Sequence, residues 1–183
     1  MRDLVVHAWT TVDGFNVDEN TEAFRAMQEI DDPEFDERFV QHRLATAGTH
    51  AMGRVTYLEM AEYWPKSDDA IAGPMNTIPK VVFSRTLTSA DWPETRIASG
   101  DTATEVARLK REPGGEIIAH GGTAFVRSLA RLGLADAYRL YVVPFAAGTG
   151  VPLFTADAHP GRLRLEQSTA FPSGILELVY RPA

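Results

Sequence analysis

The fold of this chain is decided by one stretch, which reads Gly115-Glu116-Ile117-Ile118-Ala119-His120-Gly121-Gly122-Thr123 and continues Ala124-Phe125-Val126-Arg127-Ser128-Leu129-Ala130-Arg131-Leu132-Gly133. A short apolar strand leads into two glycines and then into a helix, which carries Phe125, Leu129 and Leu132 on one side and ends at Gly133. Glycines let a backbone come close to a ligand, and the N–H groups of a first helical turn attract an anion. The stretch therefore predicts either a plain strand–turn–helix corner or a phosphate-binding turn.

The composition is that of a globular protein long enough for one domain. With 183 residues, of which 44% are hydrophobic and 23% charged, the chain can bury a sizeable core, and we expect a single domain over residues 1–183. The net charge of −7 argues against a general nucleic-acid or membrane-surface binder. An anionic ligand would therefore need locally placed arginines and backbone donors.

Cysteine and histidine usage exclude several kinds of chemistry. The chain has no cysteine, which excludes disulfides, thiolate metal sites and cysteine nucleophiles. The five histidines show no metal-ligand spacing, so no metal site is predicted; His120, beside the glycines, is either a site residue or a packed side chain. No apolar run approaches membrane-spanning length and the N-terminus does not read as a secretory leader, so we expect a cytoplasmic protein without a membrane partner.

Strands and helices alternate along the chain. Strands are predicted over residues 4–10, 49–52, 80–84, 96–98, the stretch before Gly121, 137–145, 163–171 and 175–181, and helices after Asp32-Pro33, over 54–61, after Gly73-Pro74, over 102–111 and after Gly122. The last two strands flank a hairpin turn at Pro172-Ser173-Gly174. This alternation predicts an α/β domain with a mixed, mostly parallel sheet that is covered on both faces.

Two further clusters favour the phosphate-binding interpretation. Met52-Gly53-Arg54-Val55-Thr56 puts a glycine and an arginine where a strand passes into a helix. Ser84-Arg85-Thr86 brings hydroxyl and guanidinium donors to the end of another strand. In a parallel sheet, ligands bind outside the carboxyl ends of the strands, which is where all three clusters fall. Together they predict an anionic, nucleotide-like ligand.

These motifs resemble the dihydrofolate reductase-like superfamily, and more closely its bacterial branch related to the reductase domain of riboflavin biosynthesis, the RibD C-terminal domain. Five motifs carry the resemblance in order: Thr11-Val12-Asp13-Gly14-Phe15, Met52-Gly53-Arg54-Val55-Thr56-Tyr57, Pro79-Lys80-Val81-Val82-Phe83-Ser84-Arg85-Thr86-Leu87, Gly121-Gly122, and Gly133-Leu134-Ala135-Asp136-Ala137-Tyr138 through Pro152-Leu153-Phe154. The resemblance implies a three-layer αβα sandwich with a mixed, mostly parallel eight-stranded sheet. It also implies NADPH lying across the strand ends, and a homodimer.

The resemblance also assigns cofactor-binding roles by position. Two groups of residues would hold the phosphates of NADPH: Gly53, Arg54 and Thr56 on one side, and Gly121, Gly122 and Thr123 on the other. Ser84 and Arg85, with Thr86 beside them, would take the ribose 2′-phosphate, which favours NADPH over NADH. The family further implies a cis peptide bond at the glycine turn, either before or after Gly121.

The substrate side matches the family less well. Counting back from Gly53, the catalytic carboxylate of dihydrofolate reductases falls on Glu37 or, one step earlier, Asp36, and we expect one of them to be the proton source. If Phe39 is a core residue, Asp36 shares its helix face; if Val40 is, Glu37 does. Where riboflavin-pathway reductases have a lysine on the first strand, this chain has His7.

A second departure concerns the acidic segment that riboflavin-pathway reductases carry after the second strand. Tyr57-Leu58-Glu59 stands where that segment would begin, which argues against the riboflavin-pathway reaction itself. The sequence therefore predicts an NADPH-dependent reductase that transfers a hydride to a small heterocycle, pterin- or pyrimidine-like. The alternative is a nucleotide- or ligand-binding protein that keeps the reductase fold without turnover.

Overall fold

We describe the protein from a computed structural model. The structure describes residues 1–69 and 71–183, and for residues 40–45 it describes the backbone only. Its strands are β1 (Leu4–Thr11), β2 (Ala47–Gly53), β3 (Lys80–Phe83), β4 (Thr95–Ala98), β5 (Glu116–His120), β6 (Ala137–Val143), β7 (Leu163–Ala170) and β8 (Leu176–Pro182). Its helices are α1 (Glu22–Gln28), α2 (Pro33–Ala45), α3 (Arg54–Tyr63), α4 (Ala72–Thr77), α5 (Thr102–Arg111) and α6 (Thr123–Arg131).

The strands form one mixed sheet, in the order β4-β3-β2-β5-β1-β6-β8-β7. The strands from β4 to β6 run parallel, whereas β8 pairs antiparallel with both β6 and β7. Four of the connections between parallel strands carry helices (α1 and α2, α3 and α4, α5, and α6), whereas β3 passes to β4 through a loop. This confirms the predicted α/β fold with a mixed, mostly parallel sheet and an antiparallel edge.

The two faces of the sheet carry separate cores. Leu4, Val6 and Ala8 of β1 point to one face, where they join the buried side chains of α5 and α6. Trp9 points to the other face, towards α2, where it packs with Phe35. Because successive side chains of a strand point to opposite faces of the sheet, β1 contributes to both cores. The helical layers on the two faces complete the three-layer sandwich.

Helix ends follow local sequence signals where those signals are strong. Asp32 caps α2 by accepting the Phe35 N–H at 3.0 Å, and Pro33 occupies the first turn. The helix α1, by contrast, has only seven residues, too few to show a helical period, and the sequence did not predict it. Its N-cap Thr21 accepts the Phe24 N–H at 3.2 Å. Among the described residues, no helix has the length and apolar character needed to cross a bilayer.

The loop after β1 is fastened to the loop after β6 by one carboxylate. Asp13 accepts the N–H groups of Ala147 at 3.1 Å and Gly148 at 2.7 Å, as well as the hydroxyl of Thr11. The backbone N–H of Leu153 donates to the carbonyl of Gly14 at 3.1 Å on the same junction. The two loops therefore form one unit above the carboxyl ends of β1 and β6.

Candidate functional site

Two helices begin side by side at the carboxyl ends of the parallel strands, and neither has a side-chain cap. Helix α3 starts after Gly53 and helix α6 after Gly122, and neither helix has an acidic residue in its first turn. A Cβ atom at Gly53 would lie 3.3 Å from the Cβ of Phe125, so the two first turns are in close contact. Uncapped helix N-termini present backbone N–H groups and a partial positive charge. Such a pair is suited to a diphosphate.

A threonine joins the two helix starts. The hydroxyl of Thr56, in the first turn of α3, donates to the carbonyl of Gly121 at 2.9 Å. Gly122 has a φ of +110°, and a Cβ atom there would collide with the Thr56 hydroxyl. A Cβ atom at Gly121 would meet only the His7 carbonyl, at an ordinary 3.7 Å. Of the two glycines, Gly122 is the one that the turn requires.

The turn differs from the family expectation in one respect. Every described peptide bond is trans, including those on both sides of Gly121, so the expected cis bond is absent from this structure. At this turn Gly122 has a positive φ of +110°.

A cleft of about 270 Å³ opens beside these helix starts, and we call it the arginine cleft. It is lined by Gly53, Arg54, Phe83, Ser84, Arg85, Ala98, Gly100, Thr102, Ala124, Phe125 and Ser128. The rings of Phe83 and Phe125 lie 4.9 Å apart and provide an apolar wall. The structure thus brings Gly53, Arg54, Ser84 and Arg85 to one cleft. Gly121, Gly122, Thr123 and Thr56 form the turn next to it, whereas Thr86 is an exposed residue of the loop after β3.

The two residues expected to bind a 2′-phosphate differ in their exposure to solvent. Ser84 is buried, and its hydroxyl oxygen accepts the N–H groups of Thr86 at 3.2 Å and Leu87 at 3.0 Å, so it caps the turn after β3. Arg85 is exposed. Hydrogen bonds from Thr104 lower the pKa of the nearby carboxyl of Asp101, and the charge of Arg85 lowers this pKa further. Arg85 is therefore an exposed cation of the cleft, with a carboxylate near it.

The predicted proton sources lie on α2, away from the arginine cleft. Asp36 and Glu37 are both exposed. Phe39 packs against Trp9, Phe35 and Tyr141 with ring centroids 5.7, 5.3 and 5.2 Å apart, so it faces the core and Asp36 shares its face. The side chain of Val40, the competing core residue, lies outside the described part of the chain.

The pKa of the Asp36 carboxyl is raised although the residue is exposed. Partial burial raises the pKa of its carboxyl, and the negative charges of Asp32, Asp31 and Asp69 raise this pKa further. A raised pKa keeps a carboxyl group closer to the protonated form, which a proton donor needs.

A buried ionic network was missed by the sequence analysis. The carboxylate of Glu177 on β8, only 3% exposed, lies 3.2 Å from Nε of Arg38 on α2 and 3.4 Å from Nε of Arg139 on β6. Arg38 also donates to the hydroxyl of Thr169, and Arg139 donates to Nε2 of His7 at 3.0 Å. The only signal in the sequence is a lone charge in the apolar run 175–179, where burial requires a partner.

The histidine beside the glycines is a packed residue. His120 is 1% exposed, and its Nε2 lies 2.8 Å from Nδ1 of His50 on the neighbouring strand. This arrangement agrees with the packed alternative.

A second cleft, of about 440 Å³, runs along the outer side of α3, and we call it the acidic cleft. It is lined by Glu19, Glu59, Glu62, Tyr63, Lys66 and Ser67. Partial burial raises the pKa of Glu59, and the charges of Glu19 and Asp18 raise it further. The two clefts therefore have opposite electrostatic character.

Comparison with known proteins places the chain in a family. The RibD C-terminal domain family matches residues 2–176. The uncharacterized protein YyaP of Bacillus subtilis (strain 168) is 29% identical over 184 residues, which covers 98% of this chain and 94% of YyaP. A candidate riboflavin biosynthesis protein from Shewanella sp. PV-4 has a similar structure, with a TM-score of 0.71, 20% identity and coverage of 100% of this chain and 99% of that one.

A more distant structural match concerns the wider superfamily. Dihydrofolate reductase from Enterococcus faecalis, in complex with NADP(H) and RAB-propyl, matches with a TM-score of 0.66 at 11% identity, over 98% of this chain and 95% of that one. At this identity the likeness concerns the fold. The fold is dihydrofolate reductase-like, and the chain belongs to the RibD C-terminal domain family.

Proposed function

We propose that the protein is an NADPH-dependent reductase that transfers a hydride to a small flat heterocycle, pterin- or pyrimidine-like. One observation carries the proposal: two glycine-capped helix starts, joined by the bond from Thr56 to Gly121, stand beside a cleft that holds Arg54 and Arg85. Anion binding at such helix ends is a general property of the backbone. Membership in a family of reductase domains is consistent with this chemistry.

The residues present fit a phosphorylated dinucleotide. The uncapped first turns of α3 and α6 would hold the diphosphate, and Gly122, which has no side chain, would leave the approach to the turn open. Arg85 would pair with the ribose 2′-phosphate through a charge-assisted hydrogen bond. When bound, NADPH supplies the hydride.

The protein's own part is to orient the substrate and to provide a proton. Asp36 is the better candidate for the proton source, because it shares the core-facing side of α2 with Phe39 and its carboxyl pKa is raised. His7 is 2% exposed and bonded to Arg139, so it does not offer the free cation that riboflavin-pathway reductases place on this strand.

The cofactor preference tests the proposal directly. Titration with NADPH and NADH, followed by quenching of tryptophan fluorescence, is expected to show tighter binding of NADPH by about 1.5–3 kcal/mol. Arg85→Ala removes most of this difference and leaves NADH binding nearly unchanged. Asp101→Asn keeps a capping side chain on α5 but removes the nearby negative charge, so it increases the preference for NADPH.

A distant arginine provides the matched control. Arg164→Ala, on the exposed edge strand β7, leaves both affinities as in the wild type. Equal affinity of the wild-type protein for NADPH and NADH would refute the assignment of Arg85.

The second candidate function is dinucleotide or ligand binding without turnover. It is favoured by the exposure of both Asp36 and Glu37, since a general acid must reach the bound substrate and neither residue lines the arginine cleft or the acidic cleft. Consumption of NADPH in the presence of pterin or pyrimidine substrates distinguishes the two functions. In a reductase, Asp36→Asn slows turnover while NADPH affinity stays the same.

A further inference from the structure

Buried ionisable side chains form a row across the face of the sheet that α2 covers. The row consists of His50 on β2, His120 on β5, His7 on β1, Arg139 on β6 and Glu177 on β8, each no more than 9% exposed. In the strand register, His7 lies opposite both His120 and Arg139, so these side chains share one face. Such positions are usually apolar, and buried polar groups are stable there only if they are paired.

The contact between Arg139 and His7 determines where the proton of the histidine lies. A guanidinium nitrogen of Arg139 lies 3.0 Å from Nε2 of His7, and a guanidinium group can only donate a hydrogen bond. Nε2 of His7 must therefore accept, so the ring is neutral and carries its proton on Nδ1. A second proton on the ring would turn the acceptor into a donor and place two cations 3.0 Å apart. The folded protein thus requires a neutral His7.

The neighbouring histidine pair is less restrictive. Nε2 of His120 lies 2.8 Å from Nδ1 of His50, so one of these nitrogens carries a proton and the other accepts it. One additional proton on the pair leaves this hydrogen bond intact, because the bridging nitrogens still include one acceptor. At His7, by contrast, a single additional proton is enough to break the contact with Arg139. His7 is therefore the acid-sensitive position of the row.

The charges that face His7 balance without a further proton. Besides the two histidines, the ionisable side chains described around this ring are Glu116 on β5, Arg139 and Tyr141 on β6, Glu177 on β8 and Arg38 on α2. Asp36 and Glu37 of α2 are exposed, and the ammonium group of Lys80 on β3 is bonded to three backbone carbonyls. Two arginines thus face two glutamates. A proton on His7 would add a positive charge to a buried cluster that is already neutral.

The same arginine connects His7 to helix α2. One carboxylate oxygen of Glu177 lies 3.4 Å from Nε of Arg139, and the other lies 3.2 Å from Nε of Arg38. Arg38 also donates to the hydroxyl of Thr169 at 3.1 Å. Glu177 is therefore shared between the strand that faces His7 and the helix above it. Displacement of Arg139 removes one of the two cations that hold this carboxylate in place.

We propose that His7 is an acid-sensitive switch: when its ring takes up a proton, Arg139 is displaced and α2 is released from the sheet. In the open state His7 reaches water, where histidine takes up a proton below about pH 6.5. Because the closed state excludes a proton that the open state binds, the closed state loses stability as the pH falls below this value. The switch does not depend on the proposed function, since no dinucleotide contact enters it.

The tautomer of His7 is measured directly in the wild-type protein. Long-range ¹H–¹⁵N NMR spectra of the imidazole rings distinguish the Nδ1–H tautomer, the Nε2–H tautomer and the imidazolium ion. At about pH 7.5 we expect the Nδ1–H tautomer for His7, whose signals are assigned by their loss in His7→Gln. An Nε2–H tautomer or an imidazolium ion at this pH overturns the proposal.

Hydrogen exchange measures the release of α2. The amides of α2 are compared with those of α6, which packs on the opposite face of the sheet, at about pH 7.5 and about pH 5.5. After correction for intrinsic exchange rates, exclusion of one proton predicts that the open population of α2 rises about tenfold between these values. The open population of α6 is expected to stay unchanged. An equal rise in both helices, or no rise in α2, contradicts the proposal.

Two variants separate His7 from the other titrating groups. In His7→Gln, the amide oxygen reaches about as far as Nε2 and can accept from Arg139, but the side chain does not titrate. We expect this variant to lose the tenfold rise, whereas His159→Gln, at an exposed histidine, keeps it. A wild-type rise in folded His7→Gln overturns the proposal. The two wild-type measurements decide the question if His7→Gln does not fold.

Discussion

At the arginine cleft, backbone groups and glycines build the site, whereas at the acidic cleft and α2, side chains from separate elements must come together. The first region is held by one short bond from Thr56 to Gly121 and by the positive φ of Gly122. The second region depends on how α2 is fixed to the sheet, through Arg38 and the buried carboxylate of Glu177. The comparison teaches that the two regions rest on different interactions, which mutation can separate.

Removal of the buried negative charge of Glu177 should produce the largest loss of unfolding free energy. Glu177→Gln leaves Arg139, which is 11% exposed, without its close carboxylate, and loss of one partner from a buried ion pair costs about 3–5 kcal/mol of unfolding free energy. Urea denaturation measures this loss. NADPH affinity of the folded variant stays near the wild-type value, because the arginine cleft does not use this network.

The matched control is a second glutamate that pairs with two arginines at the surface. Glu166 contacts Arg164 at 3.0 Å and Arg181 at 2.8 Å, and all three side chains reach the surface, so Glu166→Gln should cost less than about 1 kcal/mol. If Glu177→Gln is no more destabilising than Glu166→Gln, the buried network does not hold α2 in place.

The two glycines of the turn should respond differently to the same substitution. Gly122→Ala forces an L-residue into a positive φ and against Thr56, with an expected cost of about 1–3 kcal/mol in unfolding free energy and a strong loss of NADPH affinity. Gly121→Ala meets only ordinary contacts and should cost about 0.5 kcal/mol or less. Denaturation and NADPH titration of both variants provide the comparison.

A second substitution separates the two causes of destabilisation in Gly122→Ala, the positive φ and the collision with Thr56. In a Thr56→Ala background the collision disappears, so Gly122→Ala retains only the cost of its backbone conformation. If Gly121→Ala and Gly122→Ala weaken NADPH binding equally, the turn is not the tight point of approach that its geometry indicates.

The sequence predicted the arginine cleft better than the region around α2, for a physical reason. Gly53-Arg54 and Gly121-Gly122 act through their own backbone at strand ends, so a local motif and a strand order are enough to bring them together. Even in this cleft, the hydroxyl of Ser84 accepts the N–H of Leu87 in the turn after β3. The spacing of residues in the sequence does not predict that hydrogen bond. The sequence predicted the fold because strand and helix periods are local.

The region around α2 depends on contacts between residues far apart in the chain. Arg38 and Glu177 are 139 positions apart, and Trp9 and Tyr141 meet only because β1 pairs with β6. No spacing rule connects such pairs, since their meeting depends on register and helix placement. For the same reason, the sequence did not decide whether Phe39 or Val40 marks the core-facing side of α2. The ring contacts of Phe39 with Trp9 and Tyr141 favour Phe39, and therefore Asp36 as the acid on that side of the helix.

The smallest expected effect concerns Asp13, which joins the loop after β1 to the loop after β6. The hydroxyl of Thr11 and the N–H groups of Gly148 and Ala147 lower the pKa of the Asp13 carboxyl from 3.8 to about 2. Because the pKa is lower in the folded protein, the stabilisation is fully present above pH 3.8 and is lost as the pH falls through about 2. The junction should therefore remain closed throughout the pH range in which Asp36 titrates.

The amide resonance of Gly148, followed by NMR as the pH is lowered from neutral, measures this junction. It should shift with a midpoint near 2, and in Asp13→Asn it should already be displaced at neutral pH. Asp91→Asn, at an exposed carboxylate elsewhere, serves as the control and leaves the resonance in place. A midpoint at the ordinary value of 3.8 would mean that the loops do not share this carboxylate in solution. The junction would then open at a higher pH, closer to the range in which Asp36 titrates, and the two regions would be less separable than their structures indicate.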